Sequence, residues 1–426
     1  MSQTEVGIAS PQRGPKHELG LALSGGGSRA AAFHCGTVRA LERLDLLPRV
    51  DVVSTVSGGS IFAAAWAASL VKNETTGTFL TRISRELGRG FYLRAVFNFR
   101  FPLIFSPWYT LTQVLANVFS SLAHHLTVGD LPPRPLFCFN TTVLNSGQVG
   151  KFTSDGFSTP GLGARQASGS NPTIPCPTLP LSLAAAASAA FPVGLPPVFL
   201  KKKRWFPGVS LEGPLKGAKV IALTDGGVLE NLGVQTLLKS VRFMTRDIIA
   251  SDAGTTFSSW RPKRLFTWVR SFFMWLLSGS ILERFAEIMN DKENRWMREK
   301  LFHTAGAHAP PTIGKRRNVL LVRVANDWEH VMNVDRGRLQ ELAPTLAPPP
   351  RIDTAAVRAA LGAHPARTAL LDEARASYEK VGMSAAKLNA IGTNFTALSA
   401  KQLASLAEHA YWQVLATYAL YWESVP

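Results

Sequence analysis

The feature that most constrains the fold is a pattern found twice in the first 71 residues: an apolar run, a glycine-rich turn, then a helical stretch. Leu19-Gly-Leu-Ala-Leu-Ser24 stops at Gly25-Gly26-Gly27, and Ala32, Cys35, Val38, Leu41 and Leu44 then recur at spacings of three on one broad face. Pro48 closes that helix. Val52-Val53-Ser54-Thr55-Val56 follows as a buried β-branched strand, and Ser60–Val71 as an almost wholly apolar helix. Strands joined through helical crossovers run parallel, and strands apolar on both faces need a helical layer on each side. The expected fold is therefore α/β, a three-layer sandwich with a mostly parallel central sheet. Val220–Thr224, Ile248–Ala250 and Val319–Val324 are further strand candidates.

The remainder divides by composition. Aromatic residues crowd 91–128 (Phe91, Tyr92, Phe97, Phe99 among them), but Pro102 and Pro107 rule out a core strand, so a cap or pocket wall is expected. Pro, Ser and Gly break 156–180 into loop, and Ala184–Ala190 reads as a small-residue helix stopped by Pro192. Prolines stiffen 343–351 into a linker. Beyond it Ser399 and Gln402 form a capping box, and Leu403, Leu406, Ala410 and Val414 give an apolar stripe expected to pack back onto the core. The expected organisation is a polar tail (1–18), an α/β domain (19–330) with the cap and a basic-aromatic insertion (256–317), a linker (331–353) and a helical C-terminal region (354–426).

Composition excludes several classes. Hydrophobic residues make up 46% and charged residues 18%, too apolar for a disordered chain. Three cysteines (Cys35, Cys138, Cys176) with no C-x-x-C pair supply neither a disulfide framework nor a zinc motif. The balance of 46 Lys and Arg against 29 Asp and Glu gives +17, a charge that attracts nucleic acid or an anionic lipid surface. Without zinc-finger spacing, an RNP-like motif or a long basic helix, nucleic acid falls behind lipid. Met1–Gly20 carries no apolar signal region. The longest uncharged apolar stretch, between Arg270 and Glu283, is short of the roughly 18 residues that a spanning helix needs. The expectation is a cytoplasmic protein, peripheral at a membrane surface.

Three turns carry the candidate chemistry. Ser24-Gly-Gly-Gly-Ser-Arg29 lets backbone N–H groups point at an anion beside a helix N-terminus, either a phosphate or an oxyanion formed in acyl transfer. Gly25-x-Gly27-x-x-Ala30 fits a loose dinucleotide fingerprint, yet the next strand ends in Ser57 where a ribose-binding acid belongs. Thr55-Val56-Ser57-Gly58-Gly59 matches a nucleophile elbow, G-x-S-x-G, except for Thr55 at the leading glycine. Asp225-Gly226-Gly227 ends a buried strand. Each turn alone has a structural use, as a helix cap or as a source of positive φ.

Together, Gly25–Arg29, Ser57–Ser60 and Asp225–Gly227 resemble the patatin-like phospholipase family, as do Phe139-Asn-Thr-Thr142 and Ala187-Ser-Ala-Ala-Phe-Pro192. The resemblance spans about residues 19–255. It implies a lipid acyl hydrolase of phospholipase A or lysophospholipase type with a Ser57–Asp225 dyad. The oxyanion would be held by the amides of Gly25, Gly26, Gly27 and Gly58, while Arg29 steadies the glycine loop or adds positive charge. No metal or organic cofactor is implied; membrane phospholipid is the substrate, and the oligomeric state is left open. The other functional class is a non-catalytic, membrane-associated interaction protein on the same scaffold. A Ser-His-Asp triad would draw on His303, His308 or His330, whereas His34 reads as a packed core histidine. Adjacent His124 and His125 point apart and make a poor metal pair. Residues 261–285, with Arg261-Pro-Lys-Arg264 and an aromatic run after it, fit an interfacial helix or a buried one. Lys201-Lys-Lys-Arg-Trp205 is a second basic-aromatic cluster, with a solvated loop as its other reading.

Overall fold

The computed structural model describes residues 17–91, 94–95, 97–98, 109–160, 162, 172–192, 194–240, 242–254, 292–301, 318–333, 361 and 364–422. Ten described strands form one sheet: β1 (His17–Leu23), β2 (Val50–Val56), β3 (Leu136–Val143), β4 (Gln148–Thr153), β5 (Gly156–Ser158), β6 (Thr173–Ile174), β7 (Val198–Lys201), β8 (Val220–Asp225), β9 (Thr245–Asp252) and β10 (Val319–Arg323). The order is β10-β9-β1-β2-β3-β4-β5-β6, with β8 also on β3 and β7 on β8. The half from β10 to β3 is parallel, and every pairing of β4 to β8 is antiparallel.

Side chains alternate between two layers, as the pleat requires. Leu19, Leu21 and Leu23 of β1, Val53 of β2, Ile249 of β9 and Leu320 of β10 join the larger core. Ala22, Val52, Ile248 and Leu321, their neighbours in sequence, join the smaller one. Helices α1 (Gly27–Arg43), α2 (Gly58–Val71), α3 (Thr76–Arg89), α4 (Leu111–Ser120) and α5 (Leu181–Ser188) contribute to the larger core. Helix α6 (Val234–Lys239) and residues 292–301 supply Val234, Leu237, Met297 and Leu301 to the other. The three-layer α/β architecture expected from the sequence is the one found.

The C-terminal helices α7 (Pro365–Lys380) and α8 (Ala400–Tyr421) join the larger core. Ser399 Oγ accepts the Gln402 N–H at 3.2 Å and Gln402 Oε1 accepts the Ser399 N–H at 2.9 Å, the capping box that starts α8. At its other end buried Arg367 of α7 donates to the carbonyls of Ala419 and Trp422 at 2.7 and 2.8 Å, closing orphan carbonyls of the last turn.

The sequence reading differs from the structure at several places. Within the aromatic stretch 91–128, α4 is an ordinary helix that buries Val114, Leu115 and Phe119. The loop expected over 156–180 contains β5 and β6, strands of three and two residues, too short to carry a periodic signal. Lys201–Trp205 is not a plain loop: it ends β7 and forms a single helical turn. The segments 1–16, 261–285 and 334–360 lie outside the described residues.

Gly36 is where α1 and α8 come closest, because a Cβ there would overlap the Ala407 backbone. Gly36→Val is expected to cost about 1–3 kcal/mol by overpacking. Denaturant unfolding of the two proteins measures it, and equal stability would mean that α8 does not seat against α1 as described.

Candidate active site

The geometry starts from the two edges of β3. On one edge β4 pairs along Phe139–Val143. The other edge is shared: β2 pairs with Leu136–Asn140, and β8 takes over at Thr141–Val143. Val56 stands opposite Asn140 and Asp225 opposite Thr141, so the C-terminal ends of β2 and β8 meet head to head at adjacent β3 positions. Ser57 is the next residue after β2. The buried strand that Asp225 ends is antiparallel to β3 and aimed at the end of β2.

Ser57 sits in a strained turn. Its φ of 51° lies in the left-handed region, uncommon for a residue with a Cβ and typical of sites whose surroundings over-determine the backbone. Its N–H donates to Ser188 Oγ at 3.0 Å, and its carbonyl accepts from Ser60 and Ile61 to open α2. Gly58 abuts Gly27 so closely that a Cβ would overlap the Gly27 backbone, which binds elbow and glycine loop into one unit.

Asp225 is buried, 1% exposed. Its Oδ1 accepts the Gly227 N–H at 2.6 Å, whereas Oδ2 is buried with no hydrogen-bond partner. Burial pushes the carboxyl up to about 7, against the Gly227 N–H and the Ser57 hydroxyl, which both pull it down.

The glycine loop turns through φ 139° at Gly26 and 57° at Gly27. Among the expected anion donors, Gly25 differs, because its N–H donates to the Asn231 carbonyl at 3.0 Å. The N–H groups of Gly26, Gly27 and Gly58 hydrogen-bond to no other described residue. Arg29 is wholly buried and turned into the protein. Its Nε and Nη2 donate to the Ala253 carbonyl at 3.1 and 2.6 Å, and Nη1 to the carbonyls of Asn389 and Ile391 at 2.7 and 2.9 Å. The guanidinium therefore fastens the loop to the end of β9 and to the C-terminal region.

Among the described residues no histidine hydrogen-bonds to Ser57 or Asp225. His34 packs in the core between Ser251 Oγ and the Ser24 carbonyl, where burial lowers its pKa to about 4. His330 lies on a short helix, Trp328–Asn333, and burial lowers its pKa too. His303 and His308 lie outside the described residues. His124 Nε2 donates to Glu74 Oε1 at 2.8 Å, and His125 bonds to Ser120 Oγ, so the two go separate ways. No group of three or more potential metal-ligating side chains occurs among the described residues.

Two residues of the site have no role assigned from the sequence. Asn231 sets its side-chain oxygen against both Gly25 and Gly227, in the space that a Cβ at either would need. Ser188 bonds directly to the Ser57 backbone. A serine after a run of four alanines was the available signal, since a buried hydroxyl needs a partner.

The model of the patatin-like phospholipase family matches residues 21–238. The chain belongs to the patatin-like phospholipase family. That span holds all three turns and both members of the Ser57–Asp225 pair, and the family is one of lipid-hydrolysing enzymes. Among solved structures, human GIVD cytosolic phospholipase A2 is similar, with a TM-score of 0.48 at 12% identity, covering 94% of this chain and 59% of that one. VipD from Legionella pneumophila gives 0.30 at 14% identity, over 73% of this chain and 61% of that one. The complex of full-length SpcU with full-length ExoU from the type III secretion system of Pseudomonas aeruginosa gives 0.24 at 15% identity, over 94% and 70%. The chain thus spans about three fifths of the length of the human enzyme. No curated protein matches it. No described helix is long and apolar enough to cross a membrane.

The role of Arg29 is open to a direct check. Lysine cannot reproduce a fork that serves three carbonyls. Arg29→Lys should lose about 2–4 kcal/mol in urea unfolding through unsatisfied buried groups. Unchanged stability would show that the clamp is not formed.

Proposed function

We propose that this chain hydrolyses fatty-acyl esters of membrane glycerophospholipids, as a phospholipase A or lysophospholipase, through an acyl-Ser57 intermediate. The observation that carries this reading is that the strained Ser57 turn, at the end of β2, meets head to head the end of β8 with its buried carboxyl, whose Oδ2 has no hydrogen-bond partner. An ordinary carboxylate is too weak a base for a serine hydroxyl, and burial removes much of that mismatch by raising the Asp225 pKa to about 7.

In the first half-reaction the Ser57 Oγ–H proton passes to Asp225 Oδ2 as Oγ bonds to the ester carbonyl carbon. The carbonyl oxygen becomes an oxyanion and takes hydrogen bonds from the N–H groups of Gly26, Gly27 and Gly58, which hydrogen-bond to no other described residue. Collapse breaks the bond to the leaving alkoxy oxygen, which receives the proton from Asp225 and departs as the lysolipid or glycerol alcohol. Water then gives its proton to Asp225 and its oxygen to the acyl carbon. Fatty acid leaves, and the proton returns to Ser57. Gly25 supports the loop through its bond to Asn231, and Arg29 holds the loop in place.

We also assign to Lys201–Trp205 the role of an anionic-lipid contact. Lys201, Lys203 and Arg204 are exposed, as are Lys216 and Lys219 beside them, and the Lys202 N–H donates to the Lys219 carbonyl. The cluster stands at the start of β8, about 17 Å along the strand from Asp225.

A fluorophosphonate probe is expected to label the native protein and not Ser57→Ala, and labelling that survives this substitution would sink the assignment. Asp225→Asn should lower turnover by about 10³-fold or more while the protein stays folded. The base must be ionised, so the native rate should fall tenfold per unit of pH below about 7. The same carboxyl titrates near its ordinary 3.8 when unfolded, so the native fold loses stability between that pH and about 7. Asp225→Asn should accordingly be the more stable protein at pH 8; calorimetry on both checks the sign. On anionic vesicles the rate should drop as salt rises from 0.05 to about 0.5 M, through screening of exposed charge. A short-chain monomeric ester serves as the control. Equal salt response for both substrates would remove the lipid-contact role.

A further inference from the structure

Helix α5 ends at Ser188, and the short segment Ser188-Ala189-Ala190 holds both members of the Ser57–Asp225 pair. Ser188 Oγ accepts the Ser57 N–H at 3.0 Å. The Ala190 carbonyl accepts the Asp225 N–H at 3.0 Å and the Thr224 hydroxyl at 2.7 Å. The two ends that meet across the edge of β3 are therefore bridged a second time, from the helical layer.

Proton accounting gives the Ser188 hydroxyl one arrangement. The Asn140 carbonyl, 2.5 Å away, can only accept, so Ser188 donates its single proton there. Its lone pairs are then left for the Ser57 N–H and for the Ser60 hydroxyl at 2.8 Å. Ser60, having donated to Ser188, accepts at this contact: the Thr55 hydroxyl lies 2.8 Å away and shares its single proton between Ser60 Oγ and the Cys138 carbonyl at 3.2 Å. All three hydroxyl residues are fully buried, each 0% exposed. Water cannot substitute for a missing link without opening the core. The chain begins at Thr55, the residue where this sequence departs from the glycine of the elbow pattern, and it ends on Asn140, one position from the partner of Asp225.

We propose that Ser188, held by Ser60 and Thr55, is a positioning residue that sets the gap between the Ser57 hydroxyl and the Asp225 carboxyl. This rests on the hydrolase reading above. Ser188 touches neither substrate nor reacting atoms; it fixes the backbone of one reacting residue relative to the helix end that carries the other. Thr55 is the outer anchor, which accounts for a side chain at a position that the elbow itself prefers empty.

The test is the pair Ser188→Ala and Thr55→Val, with Thr55→Ser as the conservative control, all in the full chain. Ser188→Ala should lower kcat by about 10- to 100-fold, the scale of a small misplacement of a reacting group, with KM on vesicles little changed. Thr55→Val should lose less, about 3- to 10-fold, and Thr55→Ser should recover most of that loss. Crystal structures of native protein and Ser188→Ala supply a readout independent of turnover: the distance from Ser57 Oγ to Asp225 Oδ2 should be longer in the variant. An unchanged distance, or native kcat in folded Ser188→Ala, overturns the proposal. So does a Thr55→Ser protein as impaired as Thr55→Val, and the Thr55 pair decides the question if Ser188→Ala does not fold. Failure of the hydrolase reading is seen separately, as native protein that the fluorophosphonate does not label at Ser57.

Discussion

The structure depends on a division of one strand's edge. A strand has two edges, and β3 gives one wholly to β4 while splitting the other between β2 and β8. Hydrogen-bond register then leaves no freedom in where the two incoming chains stop. Ser57 and Asp225, 168 residues apart in sequence, are brought together by backbone ladders and not by side-chain attraction. Burying a carboxylate there is unfavourable, and it is tolerated because a whole sheet enforces the position.

Close approach of backbones is the second theme. The glycine loop, the elbow and the end of β9 pack with almost no side chain between them, at Gly26 against Ala253 and at Gly58 against Gly27. Such packing leaves N–H groups grouped around a small space and keeps bulky atoms out of it. Where a side chain does enter, it is an amide or a hydroxyl with a defined task, as with Asn231 against Gly25 and Ser188 beneath Ser57.

Much of this was legible from residue order alone. Strands β1, β2 and β9 are buried on both faces over most of their length, so each holds a short apolar stretch (Leu19–Leu23, Val52–Val53, Ile248–Ala250), and the glycine turns after β1 and β2 punctuate them. Ser399 and Gln402 announced the start of α8 because a capping box is a local motif. The antiparallel half was far less readable: β5 and β6 are too short to show alternation, and β7 runs into a cluster of lysines. The direction of β8 was beyond reach for a different reason, since strand polarity is decided by tertiary pairing. Ser188, seen only within the Ala187–Pro192 stretch, and Asn231 were given no role, because their importance comes from what lies across from them and local patterns carry no record of that.

One consequence reaches beyond the reacting groups. Arg29 draws two of its acceptors from Asn389 and Ile391, and the Ser28 N–H bonds to the Asn394 carbonyl. These acceptors lie some 150 residues past the end of the family match at residue 238. A fragment trimmed to the recognisable homology would keep Ser57 and Asp225 yet strip the Ala253, Asn389 and Ile391 carbonyls from a buried cation. The true functional unit is drawn by wiring, and its border runs through the tail.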